Sequence, residues 1–479
     1  MPFELSTLWR APAINPVNQK AQSIPLLNPF NIYGRVFLLS WWSFFIAFWS
    51  WYAFPPLLTA TIAKDLSLSQ AEIANSNILA LTCTLVVRLT AGTACDRYGP
   101  RWTFAGLLVA GAVPTALAGT VTDARGLLVL RFFVGILGGT FVPCQVWTTG
   151  FFDKNVVGTA NALAAGLGNA GSGVTYFLMP AIFDSLVEHQ NLSPHTAWRV
   201  AFIVPFLFII VTALAILLLS PDAPTGKWSA RAYEMQRQAE MRDAFIPDRG
   251  YGSSSSDVFG LRYGPGKSLS RSQSTRVRLS SRNASDSTDK VSGDQLEDGS
   301  GDVADFIDAA SWELVERPTP KRAGKAILAL PTLTLVVAYF CTFGTELSVN
   351  SFLGAYYLKN FPSLGQTGSG RWAAMFGLLN AVFRPAGGVL ADVVYRWTGS
   401  LWGKKMLMHG LAIVLGAFML LVGLMDPRRK ELMMGLTTGM AFFEEAGNGS
   451  VFALVPHVFP TSNGECSTIF VGERRGGWS

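Results

Sequence analysis

Charged residues and histidines are scarce in this chain of 479 residues: 15% of the residues are charged and four are histidines. The histidines are scattered, and the sequence has no nucleophile–base pair and no GxxxxGK[ST] phosphate-binding loop. The five cysteines have neither zinc-like nor disulfide-like spacing. These absences argue against an enzyme, a metal site and a bound cofactor. The net charge of +6 is explained by basic residues in cytosolic loops, without a nucleic-acid partner.

Apolar residues, by contrast, make up half of the chain. Long apolar runs approach the roughly 20 residues that a helix needs to cross the hydrocarbon core of a lipid bilayer. We predict spans at 37–58, 71–91, 102–121, 127–147, 157–181, 198–220, 326–358, 372–393, 405–425 and 432–459. The sequence therefore predicts an all-α integral membrane protein. Residues 1–36 lack the apolar core of a signal peptide, so we expect them to remain in the cytosol.

A polar insert divides the predicted spans into six and four. Residues 221–325 are rich in Ser, Asp, Gly and Arg and have no apolar periodicity. Such a composition cannot bury enough apolar surface to fold, so we expect a largely disordered cytosolic loop. It separates a six-helix bundle at 37–220 from four spans at 326–459, which a charged segment at 460–479 follows.

Two arginines lie within apolar stretches, and each begins the same spacing, Arg-xxx-Gly-xxx-Asp. The two copies are Arg88, Gly92 and Asp96, and Arg384, Gly388 and Asp392. A guanidinium at the bilayer centre costs at least a few kcal/mol, so such residues usually face a cavity. The internal repeat predicts an anion pathway on a two-fold axis.

The alternative for these arginines is a structural charge paired with a buried acid. Three acids lie within predicted spans and offer this pairing: Glu346, Glu444 and Glu445. The same three acids are candidates for coupling to protons, because a proton symporter needs a group that titrates or a substrate that carries the proton.

The turn after the second span, with its weaker copy after the eighth, resembles the major facilitator superfamily. The motif continues through Asp96-Arg97-Tyr98-Gly99-Pro100-Arg101, and the fourth span contains Arg131-xxx-Gly135-xxx-Gly139. The resemblance implies two pseudo-symmetric helical bundles with twelve spans, of which about ten are predicted here. It also implies a conformational latch formed by Gly92, Asp96, Arg97, Gly99, Arg101, Arg131, Gly388 and Asp392. The alternative is a generic basic loop that sets the topology.

A narrower resemblance lies in the fifth span, from Ala164 to Thr175, where small residues surround one amide. It resembles the signature of the nitrate/nitrite porter family, with glycines Gly166, Gly168, Gly171 and Gly173 around Asn169. Leu167 is a departure, because an aromatic residue is usual between the signature glycines. Resemblance to eukaryotic, fungal-like members implies a plasma-membrane protein that takes up nitrate with protons and accepts nitrite, without a cofactor.

The implied ligand fits the arginines, because nitrate is a planar anion and a guanidinium presents donors in a plane. We assign Arg88 and Arg384 as a clamp and Asn169 as a further amide donor. We propose Phe48, Tyr339 and Phe343 as walls or gates, against the alternative that they are packing residues.

The C-terminal sequence departs from this pattern after residue 459. Instead of a further glycine-rich span, residues 460–479 are short and charged. We therefore expect a truncated product, without the span that would carry a second signature. Two alternatives stay open: another small-anion facilitator, and a non-transporting or nutrient-sensing membrane protein. We expect a monomer.

Overall fold

The computed structural model describes residues 5–16, 18–230 and 330–458, and it is almost entirely helical in these ranges. Nine of the described helices are long and apolar enough to cross a membrane. They are α1 (Ile32–Asp65), α2 (Gln70–Tyr98), α3 (Pro100–Thr120), α4 (Ala124–Phe151), α5 (Val156–Glu188), α6 (Pro194–Leu219), α7 (Thr332–Asn360), α8 (Pro362–Tyr395) and α9 (Leu401–Met425). A tenth helix, α10 (Lys430–Val458), has 29 residues. The all-α fold is thus confirmed, whereas residues 231–325 and 460–479 lie outside the described residues.

α10 is as long as the other spans but less apolar, because two adjacent glutamates interrupt it. Glu444 and Glu445 are fully buried, as is Asn448 one turn later. The helix packs chiefly against α8, α9 and α7. Its polar residues therefore face protein, which is where a membrane helix can carry them.

Local chemistry explains where α2 begins and where the chain turns from α2 into α3. α2 begins with a capping box in which the Ser69 side chain accepts from the Glu72 backbone and Glu72 in turn accepts from Ser69. It ends at Gly99, whose φ of +90° is strained for any residue with a Cβ. Pro100 then occupies the first position of α3, where the missing N–H costs nothing. The chain therefore reverses sharply between α2 and α3.

Several spans are interrupted near the middle of the bundle. α1 is regular over Ile32–Trp51 and resumes after a break at 52–54. α4 tightens into a 3₁₀ segment at Gly135–Thr140. α5 is interrupted at Ala170, between a helix that ends at Asn169 and a second helix, Gly171–Glu188.

Two of the signature glycines bring α5 against α8. A Cβ on Gly166 would lie 2.6 Å from the backbone oxygen of Asn380. A Cβ on Gly173 would lie 2.5 Å from the backbone nitrogen of Leu378. No side chain fits at either position without moving backbone, so these glycines set the approach of the two helices.

The other two signature glycines face α1. A Cβ on Gly168 would lie 2.0 Å from the ring of Phe44, and one on Gly171 would lie 2.3 Å from the backbone oxygen of Phe45. α5 is therefore held between α1 and α8, and it connects the first six helices to the last four.

The segment before α1 packs against the link between α4 and α5. Ala21 is fully buried; its N–H donates to the Phe151 carbonyl at 2.9 Å, and its carbonyl accepts from the Asp153 N–H at 2.8 Å. The side chain of Asn15 donates to the Asp153 carboxylate at 2.9 Å. We call this end of the bundle the inner end and the opposite end the outer end.

Candidate functional site

Arg88 lies in the interior of the bundle, and no carboxylate of the described residues forms an ion pair with it. Its side chain is buried, and its Nε donates to the carbonyl of Gly138 at 2.9 Å. That carbonyl is close because Gly138 has no side chain: a Cβ there would lie 2.4 Å from Oγ1 of Thr84. No ion pair joins Arg88 to an acid of the described ranges, and its Nη2 has no hydrogen-bond partner. Arg88 therefore keeps an unused donor in a buried place.

Arg384 is fully buried and surrounded by polar side chains. It donates to Asn380 Oδ1 at 2.8 Å, to Glu445 Oε2 at 3.1 Å and to Glu346. A Cβ on Gly449 would lie 1.9 Å from the Arg384 carbonyl, so α10 approaches α8 closely enough to place Glu445 within reach. The predicted alternative of an ion pair thus describes Arg384 and not Arg88. Even so, Arg384 Nη1 forms no hydrogen bond with any residue that the structure describes.

Both arginines lie against the same aromatic ring. The Phe343 centroid is 5.1 Å from Cζ of Arg88 and 5.8 Å from Cζ of Arg384, so the two guanidinium groups are no farther apart than the sum of these distances. Tyr339 stacks on Phe343 at 5.0 Å with an angle of 10° between the rings. The structure therefore brings together the two arginines and two of the three predicted aromatic residues.

Asn169 is fully buried, and within the described part of the chain neither its amide nitrogen nor its oxygen has a hydrogen-bond partner. It lies one helical turn after Gly166, which contacts the backbone of Asn380. An unsatisfied buried amide costs about 1–3 kcal/mol. The unused polar atoms of Asn169, Arg88 and Arg384 are the type of atoms that a polar ligand would satisfy.

An aromatic layer lies toward the inner end from the arginines. Phe141 packs on Phe452 at 5.9 Å, and Phe452 packs on Tyr339 at 5.9 Å. Phe141 also lies 5.3 Å from Cζ of Arg88. The sequence did not predict Phe141 or Phe452; Phe141 follows the Arg131–Gly139 motif by two residues, which is a weak signal, and Phe452 has none.

Phe48, the third predicted aromatic residue, packs among rings of its own helix. Its centroid lies 4.4 Å from that of Phe44 and 5.2 Å from that of Trp51. Phe44 in turn lies 5.4 Å from Phe141. Phe48 is therefore linked to the arginine site through other rings.

The three predicted acids form one buried cluster. Oxygens of Glu346, Glu444 and Glu445 lie within 4.8 Å of one another. Glu346 accepts from Asn448 at 3.0 Å and from Asn380 at 2.8 Å, in addition to Arg384. Glu445 accepts from Asn380 as well as from Arg384. Glu444 differs, because neither of its oxygens accepts a hydrogen bond from a described residue.

The turn between α2 and α3 is bound to the chain that follows α6. Arg101 Nε lies 2.9 Å from Asp222, and its Nη1 donates to the Ser220 carbonyl at 2.6 Å. The Trp228 indole donates to the Asp96 carbonyl at 3.0 Å. Burial raises the pKa of Asp222 against the opposing effect of Arg101. The inner turn is thus tied to the beginning of the polar insert.

The other predicted latch residues lie in α2 and α8. Gly92 is buried in α2, and Arg97 lies over the ring of Tyr98 at 5.4 Å. In the second copy of the motif, Asp392 pairs with Lys404 of α9 at 2.8 Å. Gly388 lies against α5, where a Cβ would be 3.4 Å from Ala162.

Arg131, which was grouped with the latch residues, lies in α4 away from the inner turn. Its Nη2 donates to Asn77 at 2.5 Å, its Nη1 donates to the Trp51 carbonyl at 3.2 Å, and Cζ lies 5.0 Å from the Phe54 centroid. Asn77 and Asp96 lie near opposite ends of α2, roughly 28 Å apart at the helical rise per residue. Arg131 therefore belongs to the outer end.

Comparisons with known proteins agree with this architecture. The model of the Major Facilitator Superfamily matches residues 40–471. The chain is 33% identical to Elsinochrome transporter 1 of Elsinoe fawcettii over 97% of this chain and 89% of that protein. It is 28% identical to High affinity nitrate transporter 2.5 of Arabidopsis thaliana over 94% of this chain and 73% of that protein.

Among solved structures, the chain is similar to the proton:xylose symporter XylE of E. coli. The TM-score is 0.56 at 14% identity, over 91% of this chain and 84% of that one. At this identity the likeness concerns the fold alone.

Proposed function

The chain belongs to the major facilitator superfamily, and from this premise we propose that it is a nitrate/nitrite porter that moves nitrate across a membrane, as its similarity to high-affinity nitrate transporters suggests. Members of the superfamily are transporters, which agrees with the absence of enzymatic motifs in the sequence. One observation supports this proposal most directly. Two buried guanidinium groups lie on one aromatic ring, and each has a nitrogen that forms no hydrogen bond with a described residue.

Nitrate matches these donors in shape and charge. It is a small planar monoanion with three equivalent oxygens, and a guanidinium donates in its own plane. We assign one oxygen to Arg88 Nη2, a second to Arg384 Nη1, and the third to the amide of Asn169. Hydrogen bonds of this charged kind are roughly twice as strong as neutral ones. The flat face of Phe343 would lie beside the planar anion.

Transport requires the site to open alternately to the two ends of the bundle. The contact between Phe141 and Phe452 joins the first six helices to the last four on the inner side of the arginines. We propose that this contact separates when the site opens inward. The inner turn that contains Asp96 and Arg101, and the pair between Asp392 and Lys404, would act as the latch that re-forms in the other state.

The proposed function also includes a driving force, a second substrate, a membrane and an oligomeric state. We propose uptake driven by protons, because three buried acids lie beside Arg384. We also propose nitrite as a second substrate, since its two oxygens would use two of the three donors. The site of action would be the plasma membrane, and the functional unit a monomer.

The similarity to a protein named for elsinochrome suggests elsinochrome as a different substrate. The contacts favour a small anion over a large organic molecule, because both guanidinium groups lie within 6 Å of the Phe343 centroid, at 5.1 and 5.8 Å. Another small anion is the nearest alternative, and a non-transporting membrane protein is the next.

The decisive experiment is uptake of isotope-labelled nitrate by the 479-residue chain in cells that lack nitrate porters. The expected result is saturable uptake that unlabelled nitrate and nitrite reduce, and that chloride and xylose do not. Uptake reduced equally by unrelated anions would favour a general small-anion carrier. If the chain reaches the membrane and moves elsinochrome but no nitrate, the proposal is wrong.

A further inference from the structure

Glu444 of α10 is a fully buried acid to which no described residue donates a hydrogen bond. Both of its oxygens lack partners, whereas Glu346 and Glu445 beside it accept from Arg384. The three carboxyl groups nonetheless lie within 4.8 Å of one another. The cluster therefore contains two acids that accept hydrogen bonds from Arg384 and one acid that does not.

An ionised carboxylate cannot persist in such a position. Without a hydrogen bond or an ion pair, burial of a charged carboxylate is so costly that the group takes up a proton and becomes neutral. Two neighbouring carboxyl groups, both within ion-pair distance of Arg384, add repulsion to this cost. In the conformation described, Glu444 therefore carries a proton.

From this arrangement, and resting on the proposed nitrate transport, we propose that Glu444 binds the proton that crosses the membrane together with nitrate. The proton comes from water on the outer side and forms an O–H bond with a Glu444 oxygen. It leaves as that bond breaks, once the site opens to water on the inner side. No other bond changes and no electron is transferred.

The charges around Glu444 explain why its proton would travel with the anion. The charged groups that act on it are Glu445 of the same helix, Glu346 of α7 and Arg384 of α8. On α9, which also packs against α10, the buried Lys404 is already bonded to Asp392 and to the Ala453 carbonyl, toward the inner end. On α5, which also contacts α10, the fully buried signature residue Asn169 is uncharged.

With Arg88 counted, two cations face three acids, and one bound proton makes the cluster neutral. Nitrate adds one negative charge beside the arginines. Loss of the Glu444 proton while nitrate is bound would then leave two uncompensated negative charges in a low-dielectric interior. Nitrate therefore stabilises the protonated form of Glu444, and the proton in turn favours nitrate binding, since such coupling is reciprocal.

A metal cation is the competing occupant of three clustered carboxyl groups. Arg384 already donates to Glu346 and Glu445, so a cation would compete with the guanidinium for the same oxygens. A proton on Glu444 requires no rearrangement of that ion pair. The observations therefore favour the proton, and a sodium gradient provides the direct comparison.

The test uses the full chain reconstituted in liposomes, with Glu444→Gln as the variant and Glu431→Gln as its matched control. Glutamine has the shape of a protonated glutamate but cannot release a proton. Glu431 lies exposed at the beginning of the same helix. Two rates are measured: exchange of labelled for unlabelled nitrate at equal pH, and accumulation of nitrate driven by a pH gradient.

We expect Glu444→Gln to retain exchange and to lose accumulation driven by the pH gradient, whereas Glu431→Gln retains both. Accumulation by Glu444→Gln that still follows the pH gradient would overturn the assignment. So would the loss of exchange in that variant at normal protein level, or accumulation by the unmodified chain that follows sodium instead of pH. If the unmodified chain shows no nitrate exchange, the proposed function itself has failed.

Discussion

Replacement of Arg88 by lysine tests the anion site with the smallest change of charge. Arg88→Lys keeps the positive charge and a long side chain, but it removes the planar fork. The Nε bond to the Gly138 carbonyl, 2.9 Å long, would be lost. The remaining ammonium has no second nitrogen that can point to nitrate while the first is held in place. The variant therefore separates the effect of geometry from the effect of charge.

The magnitude follows from the loss of one hydrogen bond between a guanidinium and an anion. A hydrogen bond to a charged group contributes about 1.5–3 kcal/mol. Since about 1.4 kcal/mol corresponds to a factor of ten in affinity, the Kd for nitrate should rise by about 10- to 150-fold. The maximum rate should change less than the affinity if the rocking of the two halves does not depend on Arg88.

The assay is the concentration dependence of labelled nitrate uptake, with the amount of protein at the membrane measured in parallel. Arg125→Lys is the control, because this substitution makes the same chemical change at an exposed position near the beginning of α4. An unchanged KM in Arg88→Lys, at normal protein level, would refute the view that the fork of Arg88 binds the anion. An equal rise in both variants would point to a general effect of lysine on the membrane protein.

Two further predictions concern stability. Gly377→Ala should lower the Tm of the purified protein, because a Cβ there would lie 2.4 Å from the backbone nitrogen of Gly173; overpacking of this kind costs about 1–3 kcal/mol. Gly416→Ala, with no atom within 4 Å, should leave the Tm unchanged, and a similar loss in both variants would contradict the packing argument. Hydrogen bonds from Tyr356 and Asn360 lower the pKa of Asp426, so its stabilising effect is present above its ordinary pKa and is lost as the pH falls through the folded value. Asp426→Asn should therefore show a smaller loss of thermal stability on acidification than the unmodified chain, and an identical pH profile would show that Asp426 has no such effect.

The sequence predicted the arginine pair but not its asymmetry. The equal spacing around Arg88 and Arg384 predicted that both side chains face the interior, and both are buried in the structure. The two acids that pair with Arg384 lie 38 and 61 residues away in sequence, on α7 and α10. Which arginine meets an acid depends on how each helix is rotated about its axis, and a repeat in one helix contains no information on the rotation of another.

Arg131 shows a different limit of sequence interpretation. Its spacing to two glycines resembles a family motif, and this placed it with the latch residues. The helix that carries it begins at the outer end, and Arg131 lies only seven residues after Ala124, the first residue of that helix. Counting residues from the loop would therefore have located it correctly. α10 illustrates the reverse case, since its span was predicted in spite of the glutamates that lower its hydropathy.

The pairing of Ala21 with Phe151 and Asp153 imposes an order on biosynthesis. The ribosome makes the N-terminal segment first, yet its binding site does not exist until residues 151–153 have emerged, more than 130 residues later. At about 5–20 residues per second, the segment waits roughly 7–26 s for its partner. During that interval its backbone donors and acceptors are available to chaperones or to other nascent chains, and the inner end of the bundle cannot be completed before the fourth helix is made.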